Sequence, residues 1–327
     1  MIAYVLRSLA QAIVVMLAVA LIAFSMFRFV GDPVANMVGQ EASMAEREEL
    51  AQRLGLNDPF PLQFAHFVHD VARGEFGMSY RQGRPVKDLL IERVPATIEL
   101  ALLSSAFALV FGIVLGVYTA LHRRGLLANA VMSMSLIGVS LPTFLIGIGL
   151  IYLFAVELRW LPSFGRGEVT RLGWWTTGLF TESGRKSLIM PTLTLGFFQL
   201  TLIMRLVRAE MLEALRTDYV KFARARGIPE RSISFRHALR NTMIPVVTIA
   251  GLQFGSVIAF AIVTETVFQW PGLGALFVQA VQFVDIPVMA AYLMFVALVF
   301  VVVNLSVDLL YFALDPRLRG ATAAPAR

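Results

Sequence analysis

Glu210–Pro245, EMLEALRTDYVKFARARGIPERSISFRHALRNTMIP, is the long, densely charged stretch of a 327-residue chain that is otherwise strongly apolar. The uncharged runs Ser187–Met204 and Asn241–Thr264 flank it. Runs near 20 residues are what cross a bilayer as helix. The charged stretch is therefore tethered to membrane spans at both ends and lies in water at one face, open to a partner. Composition agrees: 57% of residues are hydrophobic and only 15% charged, against roughly a quarter charged in a soluble domain. Barrel strands would alternate in short segments, a pattern absent here, so the fold class is all-α, a polytopic membrane protein. There is no cysteine, which removes disulfides, thiolate nucleophiles and cysteine metal sites. The net charge of +6 calls for no nucleic acid, because much of the basic charge lies in the quoted stretch.

Working outward, the candidate transmembrane helices are six: Ser8–Phe29, Thr97–Leu121, Leu126–Val156, Leu188–Leu206, Thr242–Phe268 and Val288–Leu314. The third is longer than one straight crossing needs and carries Pro142, so a tilt or kink is expected there. Lys and Arg concentrate in the short links after spans two, four and six and before span one, whereas Gln269–Pro287 has none. The positive-inside rule then puts both termini in the cytoplasm. Arg159–Lys186 is a mixed-charge loop on the outside. Arg7 followed by an apolar run, with the small residues Ala18 and Ala20, has some features of a signal peptide. The run continues to Val30, which suits a retained span.

Chain organisation follows from these spans. Residues 1–30 form the cytoplasmic N-terminus and first span, and 31–95 an extracytoplasmic helical region. Residues 96–314 hold spans two to six with the cytoplasmic loop 207–241, and 315–327 form a cytoplasmic tail. In the outside region Ser43 and Glu46 read as a capping box for a helix ending at Gly55. A second helix is expected over Pro61–Arg73, and a third over Pro85–Val94, ending before Pro95. His66 and His69 lie one helical turn apart, but no acidic or histidine cluster beyond Asp70 completes a metal site, so none is assigned.

In the quoted stretch Met211, Leu212, Leu215, Tyr219, Phe222 and Ala223 recur at helical steps. Gly227 is a helix stop; Pro229 begins a second short helix with Glu230 at its positive end. Ile233 and His237 share one side of that helix, with Arg231 and Arg236 elsewhere. The expected order is helix, glycine hinge, short helix, then a span beginning near Pro245. A loop that merely attracts anionic lipid would explain the arginines, but not this order or the interspersed acids.

At Asp218-Tyr219-Val220, Ala223-Arg224-Ala225-Arg226-Gly227, His237-Ala238-Leu239-Arg240-Asn241 and Pro245-Val246 the chain resembles the membrane-spanning subunits of bacterial ABC importers of the dipeptide/oligopeptide permease family. Further blocks carry the same resemblance: Gly31-Asp32-Pro33, Leu54-Gly55-Leu56, Gly77-Met78-Ser79, Pro95-Ala96-Thr97-Ile98-Glu99-Leu100, Trp270-Pro271-Gly272-Leu273-Gly274 and Asp315-Pro316-Arg317. The resemblance implies a type I ABC importer permease fold in a bacterial inner membrane and a coupling helix that docks into a groove of a separate ATPase. The residues it marks for coupling are Asp218, Tyr219, Ala223, Ala225, Gly227, Pro229, Glu230, Arg231, Arg236 and His237. Ala223 and Ala225 would allow close backbone approach. The implied partners are a sister permease, two ATP-binding subunits and an extracytoplasmic solute-binding protein, besides membrane lipid. ATP and Mg would belong to the partner subunits, since this chain has no phosphate-cradling G-x-x-x-x-G-K-[ST] loop.

Polar groups within spans are functional candidates by default. Gln199 and Gln253, deep in spans four and five, are the better candidates for a solute pathway, with Glu265 beside them; Glu265 and Glu99 lie near the outer ends of their spans and Asp308 near an inner end, so structural pairing or loop anchoring suits all three as well. Trp270, Pro271 and Gly272 read as a tight outer turn, or as an outer gate or receptor contact. A self-sufficient ion- or proton-coupled transporter would show inverted repeats with broken helices, and an intramembrane enzyme would need a catalytic cluster; neither signature is apparent.

Overall fold

A computed structural model of the chain describes residues 2–29 and 58–314, with isolated positions between 44 and 52. The expected capping box at Ser43, the Gly31 and Leu54 blocks and the chain end from Asp315 lie outside the described residues. Ten helices and one small hairpin are defined here: α1 Ile2–Phe29, α2 Phe60–Ala72, α3 Val86–Leu121, α4 Leu126–Ser140, α5 Thr143–Leu150, β1 Thr170–Leu172, β2 Trp175–Thr177, α6 Glu182–Ala214, α7 Asp218–Ala225, α8 Glu230–Val267, α9 Leu273–Gln282 and α10 Ile286–Leu314. Five of them, α1, α3, α6, α8 and α10, are long and apolar enough to cross a membrane. The pair α4–α5, bent by 110° at its break and continued as a π-helical turn over Ile151–Glu157, is apolar and long enough when taken together to make a sixth candidate span. The kink expected at Pro142 is thus close to a right-angle turn. Leu141 and Pro142 are both extended, because a residue before proline is pushed out of the helical region.

Other differences from the sequence reading have physical causes. The helix expected to stop before Pro95 runs on as α3, with Pro95 inside it. Proline removes one donor to the carbonyl four residues back, but Ala96, Leu100 and Ala101 are wholly buried, and their packing holds the helix straight through. The fourth span likewise starts at Glu182 and carries Pro191 within it. Its inner end runs to Ala214, so the first residues of the charged stretch prolong a membrane helix. Between spans five and six, α9 appears where only a turn was expected; Leu273, Leu276 and Ala280 supply its buried face.

Buried side chains among the described residues form four clusters, one inside the charged stretch and three along the spans. Of the three along the spans, Val86, Leu89, Leu276 and Tyr292 lie at the end far from the charged stretch, Leu100, Leu188, Ile258 and Trp270 in the middle, and Ile203, Val207, Met211 and Val246 at the end that carries it. The α3–α6 pair forms the most extensive helix interface. It is close because a Cβ on Gly112 or Gly116 would fall 2.8 Å from Ile203 and 2.6 Å from Val207, the small-residue route to tight helix contact in lipid. Helix α1 packs against α10, with Ser8 Oγ 3.5 Å from Asp308 Oδ2. Most of the apolar side chains on α1 and α4, including Val14, Leu126 and Met134, face outward where lipid would lie.

Candidate functional site

The charged stretch forms a small knob carried by two membrane helices. Helix α6 ends in a turn in which the Thr217 hydroxyl donates to the Ala214 carbonyl at 2.5 Å, and α7 restarts at Asp218. The single helix that periodicity implied across Leu215 is therefore two. Asp218 occupies the first turn of α7, where a carboxylate complements the helix dipole. Val220 and Ala223 point inward onto Ile233, with Leu215 and Ile228 closing the cluster.

Gly227 ends α7. Its φ is +74°, in the left-handed region. The Gly227 N–H bonds the Arg224 carbonyl at 2.9 Å and the Ile228 N–H bonds that of Ala223 at 3.2 Å, the two bonds of a Schellman stop. Nothing lies within 4 Å of where a Cβ would sit, so the demand for glycine is conformational alone. After Pro229 the chain does not form a separate short helix. It enters α8, which is unbroken from Glu230 to Val267 with a π-helical section at Ile233–Ala238. The second helix and the fifth span are one rod. Arg224 clamps Glu230 across the turn with Nε–Oε1 2.6 Å and Nη2–Oε2 3.2 Å, and Asn241 Nδ2 donates to the Tyr219 hydroxyl at 3.0 Å. Both contacts fix α7 relative to α8.

The outward face of the knob differs from the expected one. Ala223 is buried in the knob's own core, whereas Ala225, Pro229 and Arg231 are exposed. Phe222 is 63% exposed with Arg226 over its ring at 5.6 Å. Helical periodicity puts Phe222 with Ala223 among the apolar positions of this helix, but only Ala223 enters the knob's core. Arg236 and His237 line a cavity of about 690 Å³ beside the knob, with Tyr219, Arg240 and Asn241.

At the opposite end two buried polar networks lock the span ends together. Glu99 accepts from Arg166 Nη2 at 2.5 Å, Thr177 Oγ1 at 2.6 Å and the Gly178 N–H at 2.9 Å. Arg166 also reaches Thr176, so the β1–β2 hairpin is pinned to α3. In the second network Thr97 Oγ1 donates to Glu265 Oε1 at 2.6 Å and accepts from the Leu273 N–H at 2.8 Å; Glu265 Oε2 accepts from the Ala275 N–H at 2.9 Å. Trp270 is wholly buried, and its Nε1 donates to the Ala96 carbonyl at 3.0 Å. Trp270 and Gly272 therefore face inward, with Pro271 half-buried. A third tie joins Ser79 to Asp285 at 2.5 Å, with the Tyr80 N–H on the same carboxylate. Burial and the Asp285 charge push the Tyr80 phenol up to about 12.

Gln199 and Gln253 are brought together on one cavity of about 650 Å³ between α6, α8 and the break in span three. Glu265 does not line it; the outer network occupies both its oxygens. Glu99 is also in an outer lock, and Asp308 meets Ser8 near the inner end.

Comparison with known proteins places this geometry in context. Residues 112–320 match the family described as binding-protein-dependent transport system inner membrane component, and residues 1–101 match its N-terminal part. The dipeptide transport system permease protein DppB of Alkalihalophilus pseudofirmus is 36% identical over 98% of this chain and 100% of its own. A probable peptide ABC transporter permease of Sinorhizobium fredii is 38% identical over 97% and 99%. The glutathione transport system permease GsiC of Shigella flexneri is 37% identical over 98% and 99%. Among solved structures, the inward-facing MetNI methionine ABC transporter aligns with a TM-score of 0.54 at 20% identity, covering 69% of this chain and 96% of that one.

Proposed function

The chain belongs to the binding-protein-dependent transport system inner membrane components, the permeases of ABC importers, and on that premise we propose how it is coupled and what it carries. Its solutes are peptides or peptide-like molecules, delivered by an extracytoplasmic binding protein. It forms half of the pathway beside a sister permease that is related but not identical. Two separate ATP-binding subunits hold ATP and Mg and do the hydrolysis; this chain is not catalytic. Both termini lie in the cytoplasm.

The observation that carries the coupling proposal is the knob. Helix α7 is fastened to α6 by a three-residue turn and to α8 by the Gly227 stop and the Arg224–Glu230 clamp. A groove on the ATPase that grips the exposed side of α7, with Tyr219, Phe222, Ala225, Pro229 and Arg231, would move two spans as levers, the rigid-body mode of switching. Asp218, Ala223, Gly227 and Glu230 keep the knob in shape. Gln199 and Gln253 line the solute path. Glu265, Trp270, Pro271 and Gly272 form an outer latch that sets how the outer span ends open.

The test is reconstitution of the permease pair in proteoliposomes. Uptake of labelled dipeptide is expected to require ATP, the ATPase subunits and the binding protein together; uptake driven by an ion gradient without the ATPase would overturn the proposal.

A further inference from the structure

We propose that the break in the third span is a binding site for the carboxylate end of the transported solute; this rests on reading the chain as a permease for peptide-like molecules. Three independent features converge there. First, α5 begins at the break with its N-terminus on the shared cavity, which Thr143 lines. Pro142 precedes it and supplies no side-chain cap. The N–H groups of Leu145 and Ile146 turn back to the Pro142 carbonyl, at 3.0 and 3.4 Å. With Leu141 and Pro142 extended, those of Thr143 and Phe144 have no carbonyl of their own helix to bond.

Second, Gln199 on the same cavity is only 2% exposed. One end of its amide is held by Ser105 Oγ at 3.4 Å, and Nε2 has no partner. A buried amide donor without an acceptor is unfavourable, and a ligand oxygen would relieve it. Third, the opposite wall adds the amide of Gln253 and the hydroxyl of Ser256, and among the described residues no Asp, Glu, Lys or Arg lines the cavity.

The site therefore offers donors and the positive end of a helix, with nothing to neutralise a fixed charge. An acceptor-only, singly charged carboxylate matches that pattern, whereas an ammonium group would meet the positive end of the helix. Because the site holds no cation, the carboxylate would be held by dipoles rather than by a salt bridge. That keeps affinity low enough for the solute to leave, as transport demands. Phe260 and Leu195 give the remaining apolar wall for the solute's side chains.

The experiment uses the assembled permease pair with its ATPase subunits in nanodiscs, without the binding protein. Saturation-transfer NMR follows dialanine, trialanine and glutathione against their C-terminal amides. At least one free acid is expected to bind saturably, with its amide about tenfold weaker. Gln199→Leu is expected to weaken the acid about tenfold. Thr143→Pro deletes one N–H at a position where proline fits a helix start, and Pro142 at ψ 138° already has the conformation that precedes proline; about tenfold weakening is expected again. No binding, equal binding of acid and amide, or unchanged affinity in both Gln199→Leu and Thr143→Pro overturns the proposal. ATP-driven uptake with the binding protein, measured on the wild-type preparation, separates the two readings: intact uptake with any of those results removes the carboxylate site alone.

Discussion

Replacing Gly227 by valine isolates the conformational part of the coupling device. At φ +74° an L-residue loses about 1–2 kcal/mol relative to glycine, and a β-branched side chain sits at the unfavourable end of that range. Because open space surrounds the missing Cβ, no steric clash contributes. The penalty falls on the Schellman bonds and on the angle of α7, not on the spans. A loss of about 2 kcal/mol reduces the population of the native knob geometry roughly 30-fold relative to its alternatives. Gly227→Asn should recover most of the loss, since asparagine tolerates this region; Gly227→Ala should fall between. In proteoliposomes the ratio of peptide taken up to ATP hydrolysed should fall in the order Gly, Asn, Ala, Val, while the thermal midpoint of the solubilised permease changes little. Full coupling in Gly227→Val, or equal damage from all three substitutions, would refute the reasoning.

Phe222→Asp should leave folding intact, because the ring is 63% exposed, yet abolish co-purification of the ATPase subunits. Deleting one partner of the buried Glu99–Arg166 pair, as in Arg166→Met, should cost about 3–5 kcal/mol, and Glu99→Leu with Arg166→Met should cost clearly less than the two single changes summed, as read by thermal unfolding in detergent. Gly116→Leu should lower stability by at least about 1–3 kcal/mol, the usual range for overpacking, since even a Cβ there meets Val207 at 2.6 Å. Thr97→Val leaves the Glu265 carboxylate and the Leu273 N–H each one partner short and should destabilise by about 1–3 kcal/mol.

The membrane spans and the position of the knob were legible because hydropathy and charge act locally along the chain. What the sequence hid was long-range. Whether Pro95 breaks a helix depends on the packing of Ala96 and Leu100 against other spans, not on the proline itself. The role of Glu265 is set by Thr97, 168 residues away, and that of Glu99 by Arg166, 67 residues away; no pattern within either segment points to its partner. At Leu215–Thr217 apolar periodicity continues across a turn, so the break between α6 and α7 leaves no gap in the pattern. Helix α9 is the opposite case: Leu273, Leu276 and Ala280 spell out its buried face, but the Pro-Gly turn just before it is the stronger local signal.

The central claim is that α7 sits in the ATPase groove. The chain has no cysteine, so Ala225→Cys gives a single site on the exposed side of the knob, and Leu126→Cys, 89% exposed at the inner end of α4, gives a control. Each variant is labelled with benzophenone maleimide, assembled with its partners and irradiated. Ala225→Cys is expected to yield an adduct with an ATP-binding subunit, mapped by mass spectrometry to one patch, while Leu126→Cys yields none. An adduct from Leu126→Cys and none from Ala225→Cys, in complexes that still hydrolyse ATP and take up peptide, would contradict the claim.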